Sequence, residues 1–475
     1  MKRASKELPL ERALDVLRGA LTLEDALLFA MVLILLRHEA DTERANKLGG
    51  QRAALDAWQT LTTQDFWRGD RHELADVIRS GLRKWESDHG KLSGLPNLAD
   101  MRGPQLAPLV ECVAAASDPA ALFDRCLAEQ ALTIGRGGEY YTPAEIARLL
   151  IGLMEPRAGE TVYDPACGSG GLLLRASEYV KLAAGRTGSL ALHGQDVNQM
   201  ALQTAAMNFT VHDLTADLRG PASSLTRDLF PNEIFDVVVA NPPFNLSGWD
   251  EGGRARYDHR WAYGVPPASN ANFAWVQHVI SKISPEGRAG LLLPTGAAFG
   301  AKSVERHIRA GLVENDILSC VVELPAGLIP HLRNPVSLWL FSGSKEPHGN
   351  WGSNDRSRQY LLIDARETAL PLGRGRRTIP DEVRGRITET FAAWRGAQGT
   401  VPYEDVPGWC RSVSTEDLAG QKYDVLPSHH ISGTVAEVAQ VDREERVARL
   451  TDELYKLFDK ARRLEGELRD LLGQL

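Results

Sequence analysis

Asp236-Val237-Val238-Val239-Ala240-Asn241-Pro242-Pro243-Phe244 is an acid, four apolar or small residues, and a stiff polar stop. A short apolar run closed by prolines reads as a buried strand with a loop at its carboxyl end. In an open α/β sheet, ligands bind at that end. Pro242 and Pro243 fix φ and remove two backbone donors, so the loop is stiff and its carbonyls are free to accept. Asn241 adds a side-chain acceptor and Phe244 a flat apolar face. The set suits a planar ring carrying an exocyclic NH2: Asn241 and the Pro242 carbonyl accept from the amino group, and Phe244 stacks on the ring. The plainer reading is that Asn-Pro-Pro merely ends a strand.

A second stretch upstream favours the ligand reading. Val162-Tyr163-Asp164-Pro165-Ala166-Cys167-Gly168-Ser169-Gly170-Gly171 runs into Leu172-Leu173-Leu174. It reads as strand, glycine-rich turn and helix. The glycines let backbone approach a ligand, and the helix start faces an anionic group. The next strand-like piece, Ala191-Leu192-His193-Gly194, ends at Gln195-Asp196. An acid there is placed to bind ribose hydroxyls, although the spacing from the glycine loop exceeds the usual ~20 residues. The alternative for Asp196 is a helix N-cap, and one residue can do both.

Together these stretches resemble the amino-methylating DNA methyltransferases. Asp164-Pro165-Ala166-Cys167-Gly168-Ser169-Gly170-Gly171 and Asn241-Pro242-Pro243-Phe244 carry the resemblance. Gly138-Glu139-Tyr140-Tyr141-Thr142-Pro143 is similar to a Gly-x-Tyr-Phe-Thr-Pro segment of that group, which helps hold S-adenosylmethionine. Within the group the chain resembles the modification subunit of type I restriction–modification systems, over roughly residues 120–430. The resemblance implies a Rossmann-like domain, S-adenosylmethionine as cofactor and methyl transfer to adenine N6 in DNA. It places Tyr140, Tyr141, Thr142, Pro143, Asp164, Ala166, Gly168, Ser169, Gly170, Asp196 and Asn241 around the cofactor. Asn241, Pro242, Pro243 and Phe244 fall on the catalytic loop. One departure stands out. Where the family carries an acid after the third strand, this chain reads Ala222-Ser223-Ser224-Leu225. Either Ser223 replaces the acid, or Asp217 or Asp228 takes its place.

The 475 residues are 43% apolar with formal net charge −8, enough for large cores and two or three domains. The acidity argues against a chain that clamps duplex DNA alone, because phosphate neutralisation drives such binding. Five scattered cysteines without a Cys-x-x-Cys fit a reducing cytoplasm, with no zinc site or disulfide framework. His429-His430 reads as a polar loop rather than a metal site.

Residues 1–135 read as a separate helical domain, with apolar spacing near 3.6 over Leu10–Leu17, Leu23–Leu36, Leu74–Leu82 and Pro104–Leu132. The apolar run Ala26–Leu36 is eleven residues, short of the ~20 that span a bilayer, so it reads as a buried core helix and not a membrane anchor. Arg68, Arg71, Arg79, Arg83 and Lys84 either line a DNA channel or form a solvated face.

Residues 136–430 read as the catalytic body. Strands are expected at Thr161–Tyr163, Leu190–Gly194, Asp236–Ala240, Arg288–Leu293, Ile317–Glu323, Ser337–Phe341 and Tyr360–Ile363. Helices are expected at Ala144–Met154, Ala201–Phe209, Asn272–Ile283 and Ser303–Val313. Alternation of this kind predicts a mostly parallel sheet with crossover helices. Between Asn245 and Asn270 lies a loop with four glycines and four aromatics, Trp249, Tyr257, Trp261 and Tyr263. It reads as a segment that orders on DNA or as a plain surface loop. Arg374-Gly375-Arg376-Arg377 is a basic loop cluster suited to phosphate.

Residues 431–475 differ. Val447, Leu450, Leu454, Leu457, Ala461, Leu464, Leu468, Leu471 and Leu475 recur three and four apart, a heptad seam that calls for a partner helix or for packing on its own body. The fold class is therefore α/β: a Rossmann-like methyltransferase domain with an N-terminal helical domain and a C-terminal coiled-coil helix. The seam and the acidity point to a target sequence read by another chain. The resemblance implies that this is a specificity subunit, with two modification subunits per complex and, in some complexes, a restriction endonuclease subunit. Two other readings stay open: a stand-alone amino-methyltransferase acting on cytosine N4, RNA or protein glutamine, and a non-catalytic scaffold of a DNA complex.

Overall fold

A computed structural model describes residues 10–46, 52–63, 73–92, 103–133, 142–184, 188–250, 252–253, 257–329, 332, 334–348, 351–373, 376–431 and 451. The heptad seam, Tyr140, Tyr141, Arg68 and Arg71 lie outside the described residues.

The chain opens with helices α1 (Leu10–Leu17), α2 (Leu23–Ala45), α3 (Ala53–Thr62), α4 (Glu73–His89), α5 (Gly103–Ala115) and α6 (Pro119–Thr133). The body follows as α7 (Ala144–Met154), β1 (Thr161–Asp164), α8 (Gly171–Ala184), β2 (Ala191–Gln195), α9 (Gln199–Val211), β3 (Asp217–Arg219) and β4 (Phe235–Ala240). Next come α10 (Asn272–Ser281), β5 (Ile283–Pro294), α11 (Gly296–Phe299), α12 (Ser303–Glu314), β6 (Leu318–Glu323), β7 (Val336–Ser342) and β8 (Gln359–Asp364). Last are β9 (Leu370–Gly373), β10 (Arg376–Thr378), α13 (Asp381–Arg395), β11 (Cys410–Ser414), α14 (Thr415–Gly420) and α15 (Pro427–His430).

The apolar run Ala26–Leu36 is buried throughout. Thr22 caps its helix by accepting from Asp25 N at 3.1 Å, and Glu24 and Asp25 complement the positive end of the helix dipole. A helix apolar all round needs cover on every side, and α3, α5, α6 and α9 supply it. No helix among the described residues is long and apolar enough to cross a membrane.

The helical region is not detached from the body. Its core takes in Ala206, Met207 and Val211 of α9. The Trp85 indole donates to Thr210 Oγ1 at 2.9 Å, and Asp124 meets both His212 at 3.2 Å and Arg175 at 3.1 Å. The stretch Pro104–Leu132, read as one periodic segment, is broken into two helices at Ala116–Asp118, where Asp118 accepts from Ala121 N at 3.0 Å.

Nine strands form one sheet in the order β11-β8-β6-β7-β5-β4-β1-β2-β3. β3, β2, β1, β4 and β5 are parallel neighbours, as are β6 and β8; β7 lies antiparallel between β5 and β6, and β11 is antiparallel to β8. The sheet is thus mixed α/β and mostly parallel. Apolar residues of α7, α8, α9 and α13 cover one face, and those of α10, α12 and α14 the other. This doubly wound arrangement puts loops, and not helices, at the carboxyl ends of the strands.

Two local expectations are corrected. Arg376 and Arg377 lie on β10, which pairs with β9 in a small hairpin, instead of in a free loop. His429 and His430 sit in the helical turn α15, where both ring systems bond to Asp424.

Candidate active site

β1 has β2 and β3 on one side and β4 and β5 on the other, so the strand order reverses at the β1/β4 junction. The crevice at such a reversal is the expected ligand site. Val162 pairs with Val237 and Asp164 with Gly194. That register sets Asp164, Asp196 and Asn241 on three adjacent strand ends.

The glycine loop is held from below. Gly168 and Gly170 have φ of 54° and 79°, in the left-handed region that glycine adopts freely. A Cβ on Gly170 would lie 2.5 Å from the Phe209 ring, so the loop packs directly on α9 there. A Cβ on Gly168 would meet nothing within 4 Å. The loop therefore presents open space at Gly168 and a packed underside at Gly170. Asp164 is buried and accepts from Ala166 N at 3.0 Å. Burial, and then the charge of Asp196, push its carboxyl up to about 8.

Asp196 ties the two βα loops together. Its carboxylate accepts from Gly168 N and from Asn198 N, both at 2.8 Å. Burial raises its pKa against these hydrogen bonds. The cap of α9 is Asn198, whose side chain accepts from Met200 N and Ala201 N. This corrects the N-cap alternative for Asp196. A carboxylate offers about four lone-pair sites, so two backbone contacts leave Asp196 able to accept from hydroxyls.

Asn241 is 6% exposed. Its NH2 donates to Thr142 Oγ1 at 2.9 Å, and its amide oxygen is buried without a partner. The Thr-Pro end of the Tyr140–Pro143 stretch thus meets the Asn-Pro-Pro-Phe loop in space. Behind it, Asn245 N donates to Asn272 Oδ1 and the Asn272 amide returns to Asn245 Oδ1, both at 2.9 Å, which pins the loop to the start of α10. Phe244 is 8% exposed and belongs to the core on the α7–α8 face. It is therefore not the open stacking surface that the sequence led one to expect.

Of the three candidates for the missing acid, Asp217 opens β3 and pairs with Arg219 at 2.6 Å. Asp228 is taken by buried Lys282 at 2.6 Å. Ser223 adjoins Ala222, whose N–H donates to Asp196 O at 3.0 Å.

Sequence reasoning missed Gln195 and Arg260. Gln195 is fully buried; its amide donates to the carbonyls of Ala222 and Arg227 and accepts from Leu229 N. It sets the path of the loop that carries Ser223. The available signal was an amide inside an otherwise buried strand end. Arg260 reaches back from the 245–270 loop to Ser224 O and Leu225 O at 2.7 Å. Trp249 and Trp261 pack with Leu225 and Trp275, and Trp249 donates to Pro267 O at 2.9 Å. That loop has its own core, and only Tyr257 of its four aromatics is exposed, at 86%.

A mostly parallel doubly wound sheet, a glycine loop, and acids on the two strand ends define a Rossmann-like methyltransferase when joined to an Asn-Pro-Pro-aromatic loop. Residues 122–438 match the family described as N-6 DNA Methylase. The chain is 32% identical over 341 residues to the type I restriction enzyme HindI methylase subunit of Haemophilus influenzae, covering 72% of this chain and 74% of that protein. It is 29% identical over 344 residues to the MjaIX methylase subunit of Methanocaldococcus jannaschii, covering 71% of this chain and 60% of that protein. The type I restriction-modification methyltransferase subunit of Streptococcus thermophilus shares the fold, with a TM-score of 0.67 at 19% identity over 89% of this chain and 98% of that one. The chain belongs to the N-6 DNA methylase family, and its activity is N6 methylation of adenine in DNA.

Proposed function

We propose that this chain is the modification subunit of a type I restriction–modification complex, methylating an adenine that has left the duplex. The observation that carries the reading is the buried, unpartnered oxygen of Asn241. Leaving a buried acceptor unmade costs about 1–3 kcal/mol, a cost that an incoming NH2 group removes.

The residues fit S-adenosylmethionine. Gly168 fronts open space, Asp164 is a buried carboxyl suited to a cationic neighbour, and Asp196 keeps acceptor capacity for ribose hydroxyls. Asp164, Ala166, Gly168, Ser169, Gly170 and Asp196 would hold it, with Tyr140, Tyr141, Thr142 and Pro143 alongside. Ser223 takes the position of the missing acid. When bound, the cofactor supplies a methyl group already activated by its sulfonium.

The chain's own task is positioning. The amino nitrogen of adenine is a poor nucleophile because its lone pair is delocalised into the ring. Asn241 and the Pro242 carbonyl accept hydrogen bonds from its two N–H groups and favour a tetrahedral nitrogen. Holding that nitrogen in line with the methyl group does most of the work, and no covalent nucleophile is required. A base inside a duplex does not reach this crevice, so it flips out. Stacking on Phe244 then requires the ring to be uncovered, since it is packed in the core here.

Sequence choice is assigned to a specificity subunit that docks on the heptad seam of residues 447–475. A second copy of this chain completes the modification complex, and an endonuclease subunit joins in some. The net charge of −8 supports a division of labour in which this chain does not clamp DNA alone. Sequencing genomic DNA with and without the gene tests the reading. Loss of N6-methyladenine from one recurrent sequence is expected; loss of N4-methylcytosine instead overturns it.

A further inference from the structure

A second cavity lies at the opposite end of the sheet. β8 runs parallel to β6, and β6 is aligned with β5 and β4 through antiparallel β7. Gln359, at the amino end of β8, is therefore remote from Asn241. Next to it is a cavity of about 790 Å³ lined by Asn354, Arg356, Gln359, Trp394, Thr400 and Ser412 among others. That volume falls within the roughly 300–1,000 Å³ of small-molecule sites.

Arg356 is the unusual member. It is 2% exposed, and neither of its Nη atoms has a hydrogen-bond partner. Its Nε reaches only the Asn354 carbonyl, at 3.4 Å. Its guanidinium carbon is 5.6 Å from the Trp394 ring centre, near the ~6 Å limit of a cation–π contact. The neighbouring buried cations are answered: Arg395 by Glu155 at 2.6 Å, and Lys345 by Asp316 at 2.6 Å. Asp355, the next residue, accepts from the backbone and hydroxyl of Ser357. Among the described residues, Arg395 and Lys345 each have a salt-bridged carboxylate and Arg356 has none.

Asp316 and Asp355 act on Arg356 through their charge, but neither is hydrogen-bonded to its guanidinium, and a buried cation with no directly paired anion is expensive. Burial and the charge of Arg395 lower Arg356 to about 10, so it stays charged at neutral pH. A planar guanidinium offers a fork of donors that matches an oxyanion in two parallel hydrogen bonds.

We infer that this cavity binds a small molecule through a phosphate or carboxylate group, which the Arg356 fork receives. A group inside the cavity reaches the fork on rotation of the side chain; a duplex backbone lying on the surface does not. The Trp394 indole donates to Ser412 Oγ at 3.0 Å and Ser412 Oγ to Gln359 Oε1 at 3.3 Å, so the wall beside the fork is a fixed polar chain. The site is independent of the methyl-transfer reading.

Thermal unfolding of the full chain, titrated with sodium phosphate, sodium acetate and sodium chloride at matched ionic strength, tests this. A ligand of the folded state alone raises the melting temperature with the logarithm of its concentration. Phosphate or acetate should do so and chloride should not, and whichever acts identifies the group. Arg356→Met should abolish the response and be no less stable than wild type without the anion. Equal shifts in all three salts, or an undiminished response in Arg356→Met, overturn the proposal. Should that variant not fold, a selenate soak of wild-type crystals decides. An anomalous peak within hydrogen-bond reach of the Arg356 Nη atoms supports the site, and water alone there overturns it.

Discussion

The Asn241 amide gives its NH2 to Thr142 Oγ1 at 2.9 Å, across 99 residues of chain. This contact fixes the orientation of the amide. With the nitrogen occupied, the oxygen is left buried and unpartnered, which under the proposed function makes it the acceptor for an amino group.

Asn241→Ala removes that acceptor. The methylation rate is expected to fall by at least about 100-fold, by analogy with deletion of one preorganised polar group. Cofactor affinity, measured by calorimetry, should change little. Thr142→Val should act through Asn241 by freeing the amide to turn. Its loss should appear in the rate of transfer and be rescued by Thr142→Ser, which keeps the hydroxyl. Transfer at the wild-type rate in Asn241→Ala would remove this residue from the mechanism.

The two loop glycines should separate folding from binding. Gly170→Ala drives a methyl group into Phe209, 2.5 Å away, and overpacking of this kind costs about 1–3 kcal/mol. Its main effect belongs in denaturant unfolding. Gly168→Ala meets no protein atom within 4 Å, so beyond the local cost of its positive φ its effect should appear as weaker S-adenosylmethionine binding. Asp196→Ala should weaken the same binding and release Gly168 N as well. Unchanged affinity in Asp196→Ala would place the ribose contact elsewhere.

Asp164 predicts a dependence on pH. Its folded value of about 8 lies above the ordinary carboxylate value of ~3.9. Between the two, the folded chain keeps a proton that the unfolded chain has released. The stabilisation is therefore complete below the unfolded value and is lost as pH rises through the folded one. Asp164→Asn removes this slope. Relative to wild type, it should gain stability between about pH 5 and about pH 8, read from urea melts at both. A cationic cofactor beside Asp164 would draw the proton off. Binding calorimetry in buffers of different ionisation enthalpy should then show proton release in wild type and less of it in Asp164→Asn.

The sequence made the sheet legible where strands are apolar and buried. Val237–Ala240, Leu291–Leu293 and Val321–Val322 sit inside the sheet with helices on both faces, so an unbroken apolar run was enough to find them. β3 and β11 were invisible for the same reason reversed: they are short, polar edge strands held by pairing with one neighbour. The positions of the glycine loop, Asp164 and Asn241 at strand ends could be read because glycine, acid and Asn-Pro each interrupt an apolar run at a fixed place along the chain. The assignment of Asp196 was ambiguous because Asp196 and Asn198 both have capping chemistry, and only the path of the backbone shows that Asn198 caps α9. Gln195 and Arg260 act through carbonyls 27 to 36 residues away. No local spacing announces such contacts.

Val447, Leu450, Leu454, Leu457, Ala461, Leu464, Leu468, Leu471 and Leu475 recur three and four apart, the spacing of one apolar face of a helix. Burying each Leu against a partner helix should contribute roughly 1.5–3 kcal/mol, so removing the stripe removes much of an interface. The catalytic body should not depend on it. The glycine loop, Asp196 and Asn241 all precede residue 250, and the sheet closes with β11 at Ser414. A chain truncated at about Ser432 should therefore fold and bind S-adenosylmethionine with wild-type affinity. It should fail to co-purify with the specificity subunit and fail to methylate DNA. If the truncated chain still forms the pair with undiminished affinity, the stripe packs on its own subunit and the partner docks elsewhere.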